Sequence, residues 1–169
     1  ILYDLYKSNQ KEWAIVNLRY FNPIGAHISG YIGEGPKSKP NNIFPLLCRV
    51  ASKEIKSLNI FGKDWPTFDG TPIRDYVHVM DIADGHLKAL EYINKKENQK
   101  EFINLNLGTG MGTSVLELIK TFEAVNKIKV DFQFQERRKG DAAVVCADIE
   151  LAKSILNWIP KRNIEDMCR

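Results

Sequence analysis

The chain has 169 residues, of which 44% are hydrophobic and 27% charged, and its net charge is +3. Length and composition predict one globular domain with a sizeable core. The basic residues form no stripe interleaved with aromatic residues, which argues against nucleic-acid binding, and no apolar run approaches the roughly 18 residues of a membrane span. The cysteines (Cys48, Cys146 and Cys168) are far apart and lack metal-ligand spacing, so we expect no metal site and reduced thiols in the cytoplasm.

In chain order, apolar runs rich in β-branched residues alternate with segments of helical periodicity. The predicted strands are 13–20, 57–62, 74–79, 102–107 and 130–134. One predicted helix ends near Ser8, another begins near residue 46, and three span 82–94, 115–125 and 150–156. Glycines and prolines with few apolar residues predict a long loop over 23–40, and Asp81 is a candidate N-cap for the helix at 82–94. The alternation predicts an α/β fold without a clean internal domain boundary.

Both ends of the chain look interrupted. Residues 1–7 have the pattern of the last turns of a helix, and residues 163–169 that of the first turns of another. We therefore expect the chain to be a piece of a larger protein.

The segment 19–27, Arg-Tyr-Phe-Asn-Pro-Ile-Gly-Ala-His, follows the first apolar strand. A proline and a glycine end that strand and leave Tyr20, Phe21 and Asn22 at its carboxyl end, where ligands bind in open α/β sheets. Taken alone, the residues fit an ordinary turn after a buried strand equally well. However, the segment resembles the signature of the UDP-glucose 4-epimerases, which belong to the extended short-chain dehydrogenase/reductase superfamily.

The resemblance continues to the end of the chain in the family's order and spacing. It implies a carboxyl-terminal half in which residues 1–25 end the NAD-binding Rossmann domain and residues 26–169 form most of the UDP-sugar-binding lobe. It also implies bound NAD, the substrates UDP-glucose and UDP-galactose, a cytoplasmic enzyme of galactose metabolism, and a homodimer for the intact protein.

Two patterns mimic cofactor or catalytic motifs. The glycines within 108–112 do not fit G-x-G-x-x-G, because the third comes one position early, so we expect a structural role with Thr113 or Ser114 capping the next helix. Tyr3 and Lys7 have the spacing of the family's Tyr-x-x-x-Lys catalytic pair, but that pair lies further upstream of the Arg-Tyr-Phe-Asn strand. We therefore expect no catalytic residue in this chain, and an inactive fragment.

Two charged motifs have side chains that could bind a diphosphate and a ribose. Arg74 begins an extended segment beside Asp75, a carboxylate that could hold the arginine rigid. Arg138 and Asp141 flank a glycine turn, and a guanidinium suits a phosphate as a carboxylate suits two ribose hydroxyls. A solvated charged turn is the alternative. The resemblance implies that Arg74 contacts the diphosphate and that Arg138 and Asp141 grip the nucleotide.

Further polar residues have plain structural alternatives. Adjacent asparagines at 41–42 are typical of helix caps and turns, and His78 and Asp81 are typical of residues that tie a loop to a helix start. The resemblance assigns the remaining contacts as follows: Asn42 and Ile43 to the nucleotide, Asn59 and Phe61 to the uracil, Asn22 to the substrate, and Tyr20 and Phe21 to the cofactor.

Val145 stands where some family members carry a large aromatic residue beside the hexose. A smaller side chain predicts room for a 2-acetamido group, and hence turnover of N-acetylated UDP-hexoses. Two alternatives remain for the function: a nucleotide-sugar dehydratase or decarboxylase of the same superfamily, and a non-catalytic UDP-sugar-binding module. An α/β lobe without any ligand is a third.

Overall fold

The computed structural model describes residues 1–35, 40–95 and 100–169, and it has the predicted α/β architecture. The helices are Leu2–Ser8 (α1), Ile43–Ala51 (α2), Val79–Lys95 (α3), Val115–Asn126 (α4), Glu150–Leu156 (α5) and Ile164–Met167 (α6). The strands are Ile15–Tyr20 (β1), Asn22–Ile24 (β2), Leu58–Phe61 (β3), Ile73–Arg74 (β4), Tyr76–His78 (β5), Phe102–Leu107 (β6), Thr113–Ser114 (β7), Phe132–Gln135 (β8) and Val144–Val145 (β9). In these ranges, no helix combines the length and the hydropathy needed to span a bilayer.

Most strand pairs are parallel. β1 pairs with β6, β2 with β5 and β3 with β8, all in parallel, while β4 lies between an antiparallel β7 and a parallel β9. Parallel pairing brings residues that are far apart in sequence to the same end of a sheet. The pairing of Arg74 with Val145, for example, joins two of the motifs singled out from the sequence.

Two groups of buried apolar side chains form the core. The α4 cluster packs α2, β3 and α4 together and contains Ile24, Leu47, Val50, Leu58, Ile60, Tyr76, Val115, Leu118, Ile119, Phe122, Val130, Met167 and Cys168. The α3 cluster packs α3, β6 and α5 together and contains Val77, Ile82, Ala89, Leu105, Leu107, Ala152, Leu156 and Trp158. Each fully buried aliphatic side chain stabilises the fold by about 1.5–3 kcal/mol.

The start of α4 follows the sequence expectation. Ser114 is its N-cap: the hydroxyl accepts from the Glu117 amide at 3.0 Å, and the Glu117 carboxylate accepts from the Ser114 amide at 2.9 Å. The preceding glycines allow close packing, because a Cβ at Gly108 would lie 2.6 Å from the Asp75 carboxylate. The structural interpretation of this glycine segment therefore agrees with the fold.

The predicted N-cap role of Asp81 is wrong. α3 begins earlier, at Val79, and Asp81 is buried in its first turn. Its carboxylate accepts hydrogen bonds from the backbone amides of Lys161 and Arg162 and from the Arg162 guanidinium, at 2.5–3.1 Å. Asp81 therefore ties the chain after α5 to the start of α3. His78 does tie its strand to the helix, since its Nδ1 accepts from the Met80 amide.

The predicted loop over 23–40 is also partly wrong. The chain forms β2 through Ile24, and the Asn22 amide donates to the Asp75 carbonyl at 3.0 Å before the strand pairs with β5. A proline fits here because β2 has a single strand partner among the described residues and can leave one edge without an N–H. Residues 36–39 of that prediction lie outside the described residues.

Candidate functional site

A cleft of about 170 Å³ lies between α2, β3, β4 and the segment 136–141. The resemblance assigns contacts with substrate or cofactor to eleven residues. Eight of them line the cleft: Asn22, Asn42, Ile43, Asn59, Phe61, Arg74, Arg138 and Asp141. They come from five separate parts of the chain. The fold therefore gathers at one place residues whose motifs are up to about 120 positions apart in the sequence.

Strand β3 forms one wall of the cleft. All four of its residues line it, and among the described residues β3 pairs only with β8. The side-chain oxygen of Asn59 accepts hydrogen bonds from the side-chain amide nitrogens of Gln133 at 2.8 Å and Gln135 at 3.3 Å. An edge with unpaired backbone groups and an aromatic ring at its end suits a flat heterocycle with its own donors and acceptors.

Phe61, at the end of β3, lies under a cation. The Arg138 guanidinium carbon is 3.8 Å from the centre of the Phe61 ring, which is a cation–π contact. Arg138 and Asp141 also close a turn, because the Asp141 amide donates to the Arg138 carbonyl and Gly140 has φ +90°. The segment is thus a glycine turn, as expected, and its arginine covers an aromatic wall of the cleft.

Arg74 is held by backbone carbonyls. Its Nη1 donates to the carbonyls of Ile73 at 2.8 Å and Ala142 at 2.9 Å. The expectation that the neighbouring Asp75 holds it is wrong. Asp75 is fully buried, and its carboxylate accepts from the amides of Gly110, Ala147 and Thr109 and from the Thr109 hydroxyl. Successive side chains of an extended segment point to opposite sides, which separates the two.

Asn42 occupies the N-cap position of α2, but its side chain accepts no hydrogen bond from the helix. The capping alternative is therefore not realised at this residue. Asn42 lines the cleft at the start of α2, where the first N–H groups of a helix have no partner within the helix.

Tyr20, Phe21 and Val145 lie outside the cleft lining. The Tyr20 hydroxyl is 2.7 Å from Nε2 of His86, whose Nδ1 is 2.9 Å from the Ile82 carbonyl. Phe21 follows β1 at its carboxyl end, and its amide donates to the Leu107 carbonyl of β6. Both aromatics therefore mark the carboxyl edge of the β1–β6 pair.

Val145 lies on β9, directly opposite Arg74 in the parallel register, and it is 39% exposed. Its carbonyl accepts from the Asp75 amide at 3.1 Å. The valine side chain thus stands one strand beyond the arginine that borders the cleft. Val145 is therefore a partly exposed aliphatic residue beside Arg74.

The sequence reasoning missed Tyr76. This tyrosine lines the cleft, is only 3% exposed, and its burial raises the pKa of its hydroxyl above the ordinary value. The signal was present, since Tyr76 is two positions after Arg74 in an extended segment and period-two alternation puts both on one side. The contacts of Arg137 with Trp65 and Asp64, beside the cleft, had no comparable signal.

The chain matches the model of the NAD dependent epimerase/dehydratase family over residues 3–108. It is 49% identical over 168 residues to the UDP-glucose 4-epimerase of Drosophila melanogaster, covering 99% of this chain and 47% of that protein. It is 48% identical over 168 residues to the UDP-glucose 4-epimerase of Bacillus subtilis, covering 99% of this chain and 48% of that protein. The chain therefore spans about half the length of the curated relatives it matches.

Solved structures agree. The UDP-glucose-4-epimerase of Stenotrophomonas maltophila, with bound NAD and formylated UDP-arabinopyranose, superposes with a TM-score of 0.93 at 45% identity and covers 99% of this chain and 49% of its own. The Bifidobacterium longum enzyme, in complex with NAD+ and UDP, gives 0.92 at 41% identity, with 99% and 48% covered. These likenesses confirm the expected resemblance to UDP-glucose 4-epimerases. The chain belongs to the NAD dependent epimerase/dehydratase family.

Proposed function

We propose that this chain is the UDP-sugar-binding half of a UDP-glucose 4-epimerase, a cytoplasmic homodimer that interconverts UDP-glucose and UDP-galactose through a 4-keto intermediate. Residues 1–25 would end the NAD-binding domain, and residues 26–169 would form most of the substrate lobe. The observation that carries the proposal is the convergence of Asn42, Phe61, Arg74, Arg138 and Asp141 on one cleft, in a chain whose relatives of 48–49% identity are UDP-glucose 4-epimerases.

Different residues of the cleft would bind the base, the ribose and the diphosphate of UDP. The uracil would lie against β3 and Phe61, the ribose hydroxyls would donate to Asp141, and the diphosphate would lie between Arg74 and Arg138. Guanidinium groups bind phosphate oxygens with two parallel hydrogen bonds, which fixes orientation as well as affinity. The backbone carbonyls that hold Arg74 support this role, because they orient its fork before a ligand arrives.

NAD would lie at the carboxyl edge of the β1–β6 pair. Tyr20 and Phe21 place two aromatic side chains at that edge, and Tyr20 is held by His86. When bound, NAD supplies the hydride acceptor for C4 of the sugar. The residues of this chain would hold the nucleotide firmly while leaving the hexose free to present either face.

Val145 supports a further proposal about specificity. A valine opposite Arg74 would present little bulk to a hexose attached to the diphosphate, so a 2-acetamido group would fit. Replacing Val145 by Tyr in the complete enzyme is expected to abolish interconversion of UDP-N-acetylglucosamine while UDP-glucose is still turned over. Turnover of the acetylated substrate no better than background with valine in place would overturn the proposal.

The 169 residues alone are expected to bind UDP but not to epimerise. Tyr3, which has the spacing of a catalytic pair with Lys7, packs edge-on against Phe102 with ring centres 5.3 Å apart, and the Lys7 ammonium lies 5.5 Å from the Tyr3 ring. Neither residue lines the cleft. Sustained interconversion by the purified chain would contradict this expectation.

Calorimetry with UDP tests the proposal on this chain. We expect saturable binding that Arg138→Ala weakens about 10- to 100-fold, because a hydrogen bond to a charged group contributes about 1.5–3 kcal/mol. ADP serves as the matched ligand with the same diphosphate and a different base. Equal affinity for ADP and UDP, or no binding to the folded chain, would overturn the assignment of the cleft.

A further inference from the structure

We propose that Arg137 is a positioning residue for the cleft. By binding Asp64 and Trp65, it fixes the segment 136–141 and thereby aims Arg138 and Asp141 at the nucleotide. The inference rests on the proposed function, since it deepens the account of how the same cleft binds UDP. Arg137 itself does not line the cleft.

Arg137 makes three contacts with one short segment. Its Nε donates to the Asp64 carboxylate at 2.8 Å, and its Nη2 donates to the Asp64 backbone carbonyl. Its guanidinium carbon lies 4.3 Å from the centre of the Trp65 ring. The hydrogen bond from Arg137 also lowers the pKa of Asp64, which agrees with a formed ion pair. Because the planar guanidinium of Arg137 stacks on Trp65 and also donates hydrogen bonds to Asp64, these contacts fix its orientation.

The segment that Arg137 grips is itself fixed to β3. The Trp65 indole donates to the Phe61 carbonyl at 3.2 Å, and the Trp65 amide donates to the Gly70 carbonyl at 3.0 Å. Gly62, between β3 and the indole, has φ +85°, and a Cβ there would lie 2.3 Å from the Trp65 nitrogen and 2.9 Å from Cγ of Arg137. Only glycine leaves room for this packing.

Consecutive arginines therefore hold two different aromatics. Arg137 stacks on Trp65 and Arg138 on Phe61, and both rings belong to the end of β3 and the turn that follows. Hydrogen bonds attach the segment 136–141 to the rest of the fold at both of its ends. On its amino-terminal side, the Gly62 amide donates to the Gln135 carbonyl, and on its carboxyl-terminal side Arg74 donates to the Ala142 carbonyl. Arg137 anchors the stretch between these points.

Because Arg137 holds the segment, Arg138 can leave Phe61 and bind the ligand. If Arg138 moves from Phe61 to a phosphate, its segment keeps its place through Arg137. Without Arg137, UDP would have to order the segment as it binds, and ordering one side chain or loop residue weakens binding about three- to tenfold. The loss would appear mainly as faster dissociation.

The test is UDP binding by calorimetry to the wild-type chain, R137A, R137K and K139A. Lys139 is the matched control, because it is an exposed cation of the same segment and makes no hydrogen bond or ion pair with the described residues. We expect R137A and R137K each to weaken binding about three- to tenfold and K139A to change it less than twofold. R137K keeps the charge, so wild-type affinity in that variant would mean that Arg137 acts by long-range attraction, which overturns the proposal.

A double-mutant cycle separates positioning from general damage. If Arg137 acts through Arg138 and Asp141, R137A should cost less in an R138A background than in the wild type, since only the part that acts through Asp141 remains. An undiminished effect would be independent of Arg138 and would overturn the proposal. Hydrogen exchange without ligand gives a second readout: R137A should speed exchange of the Asp141 amide, which donates to the Arg138 carbonyl, and leave the amides of α4 unchanged. If the wild type fails to bind UDP, the proposed function fails, and unchanged exchange at Asp141 would still refute the anchor.

Discussion

Asp75 lies between two cleft residues, Arg74 and Tyr76, yet its side chain serves the other side of the strand. Its buried carboxylate accepts four hydrogen bonds from the glycine segment and from the residues after β9. Asp75→Asn replaces one acceptor oxygen by an amide that faces backbone N–H groups. Because a buried donor left without a partner costs about 1–3 kcal/mol, we expect the free energy of unfolding to fall by about 2–3 kcal/mol.

Urea unfolding measures this loss. Asp131→Asn is the matched control, because Asp131 is exposed and the same substitution there removes a charge without a buried network. An equal, small change in both variants would mean that the Asp75 network does not stabilise the fold. A loss confined to Asp75→Asn would support it.

His78 predicts a dependence of stability on pH. The side chain is 5% exposed. Burial, and to a smaller extent the charge of the nearby Arg162, lowers the pKa of His78, while Asp81 and Asp166 oppose this shift more weakly. The unfolded histidine takes up a proton near its ordinary pKa of 6.5, whereas the folded one resists. The stabilisation is therefore complete above about pH 6.5 and is lost as the pH falls from there through the folded pKa.

The measurement compares urea unfolding at pH 7.5 and 5.5 for the wild type and His78→Asn, whose side-chain oxygen can still accept from the Met80 amide. We expect the wild type to lose more stability between these pH values than the variant does. Carboxylates with lowered pKa, such as Asp69 and Glu123, affect stability at a lower pH and leave this window clear. Equal slopes in the two proteins would refute the role of His78.

At the scale of elements, helix α3 packs closely on β6 through Gly85. A Cβ added there would lie 2.8 Å from Leu107 Cδ1 and 3.4 Å from the Trp158 indole nitrogen. Alanine gains about 1 kcal/mol of helix propensity over glycine, but overpacking a buried contact costs about 1–3 kcal/mol. We therefore expect Gly85→Ala to lower the free energy of unfolding by about 1 kcal/mol.

Leu107→Val provides the control, since valine lacks the δ methyl groups that the new Cβ would meet. In that background, Gly85→Ala should cost less than in the wild type, and this coupling is measured as a double-mutant cycle in urea. A stabilising effect of Gly85→Ala in the wild type would show that helix propensity outweighs packing here.

Elements with local signals could be predicted from the sequence, and those fixed by distant contacts could not. α4 was predictable because its capping box lies within four consecutive residues from Ser114 to Glu117. The start of α3 was not, because Asp81 resembles a cap and finds its true partners 80 and 81 positions away. Strands of two or three residues such as β2 and β9 have too few positions to show a period.

The candidate site divides in the same way. Motif residues such as Arg74, Arg138 and Asp141 could be placed from the sequence because the family pattern is local. What holds them could not, since the carbonyl of Ala142 binds Arg74 from 68 positions away and Trp65 meets Arg137 from 72. The sequence therefore predicts which residues form the cleft more readily than the contacts that orient them.

At the scale of the whole molecule, strand β5 joins the two clusters of the core. Tyr76 belongs to the α4 cluster and the next residue, Val77, to the α3 cluster. Adjacent residues of a strand face opposite sides, so neither cluster can lose β5 without exposing buried side chains of the other. We therefore expect the described parts of the chain to unfold as one cooperative unit.

Amide hydrogen exchange with and without UDP tests this cooperativity. A ligand that binds only the folded state at about 100 times its Kd adds about 2.7 kcal/mol to the stability, which slows globally controlled exchange about 100-fold. The cleft proposed for UDP is lined by members of the α4 cluster such as Leu58 and Ile60, yet we expect equal slowing at Leu118 in that cluster and at Leu105 in the α3 cluster. Arg138→Ala should reduce both effects by the same factor, because it weakens UDP binding about 10- to 100-fold. Slowing at Leu118 alone would mean that the α3 cluster opens by itself, and that β5 does not couple the cleft to the rest of the fold.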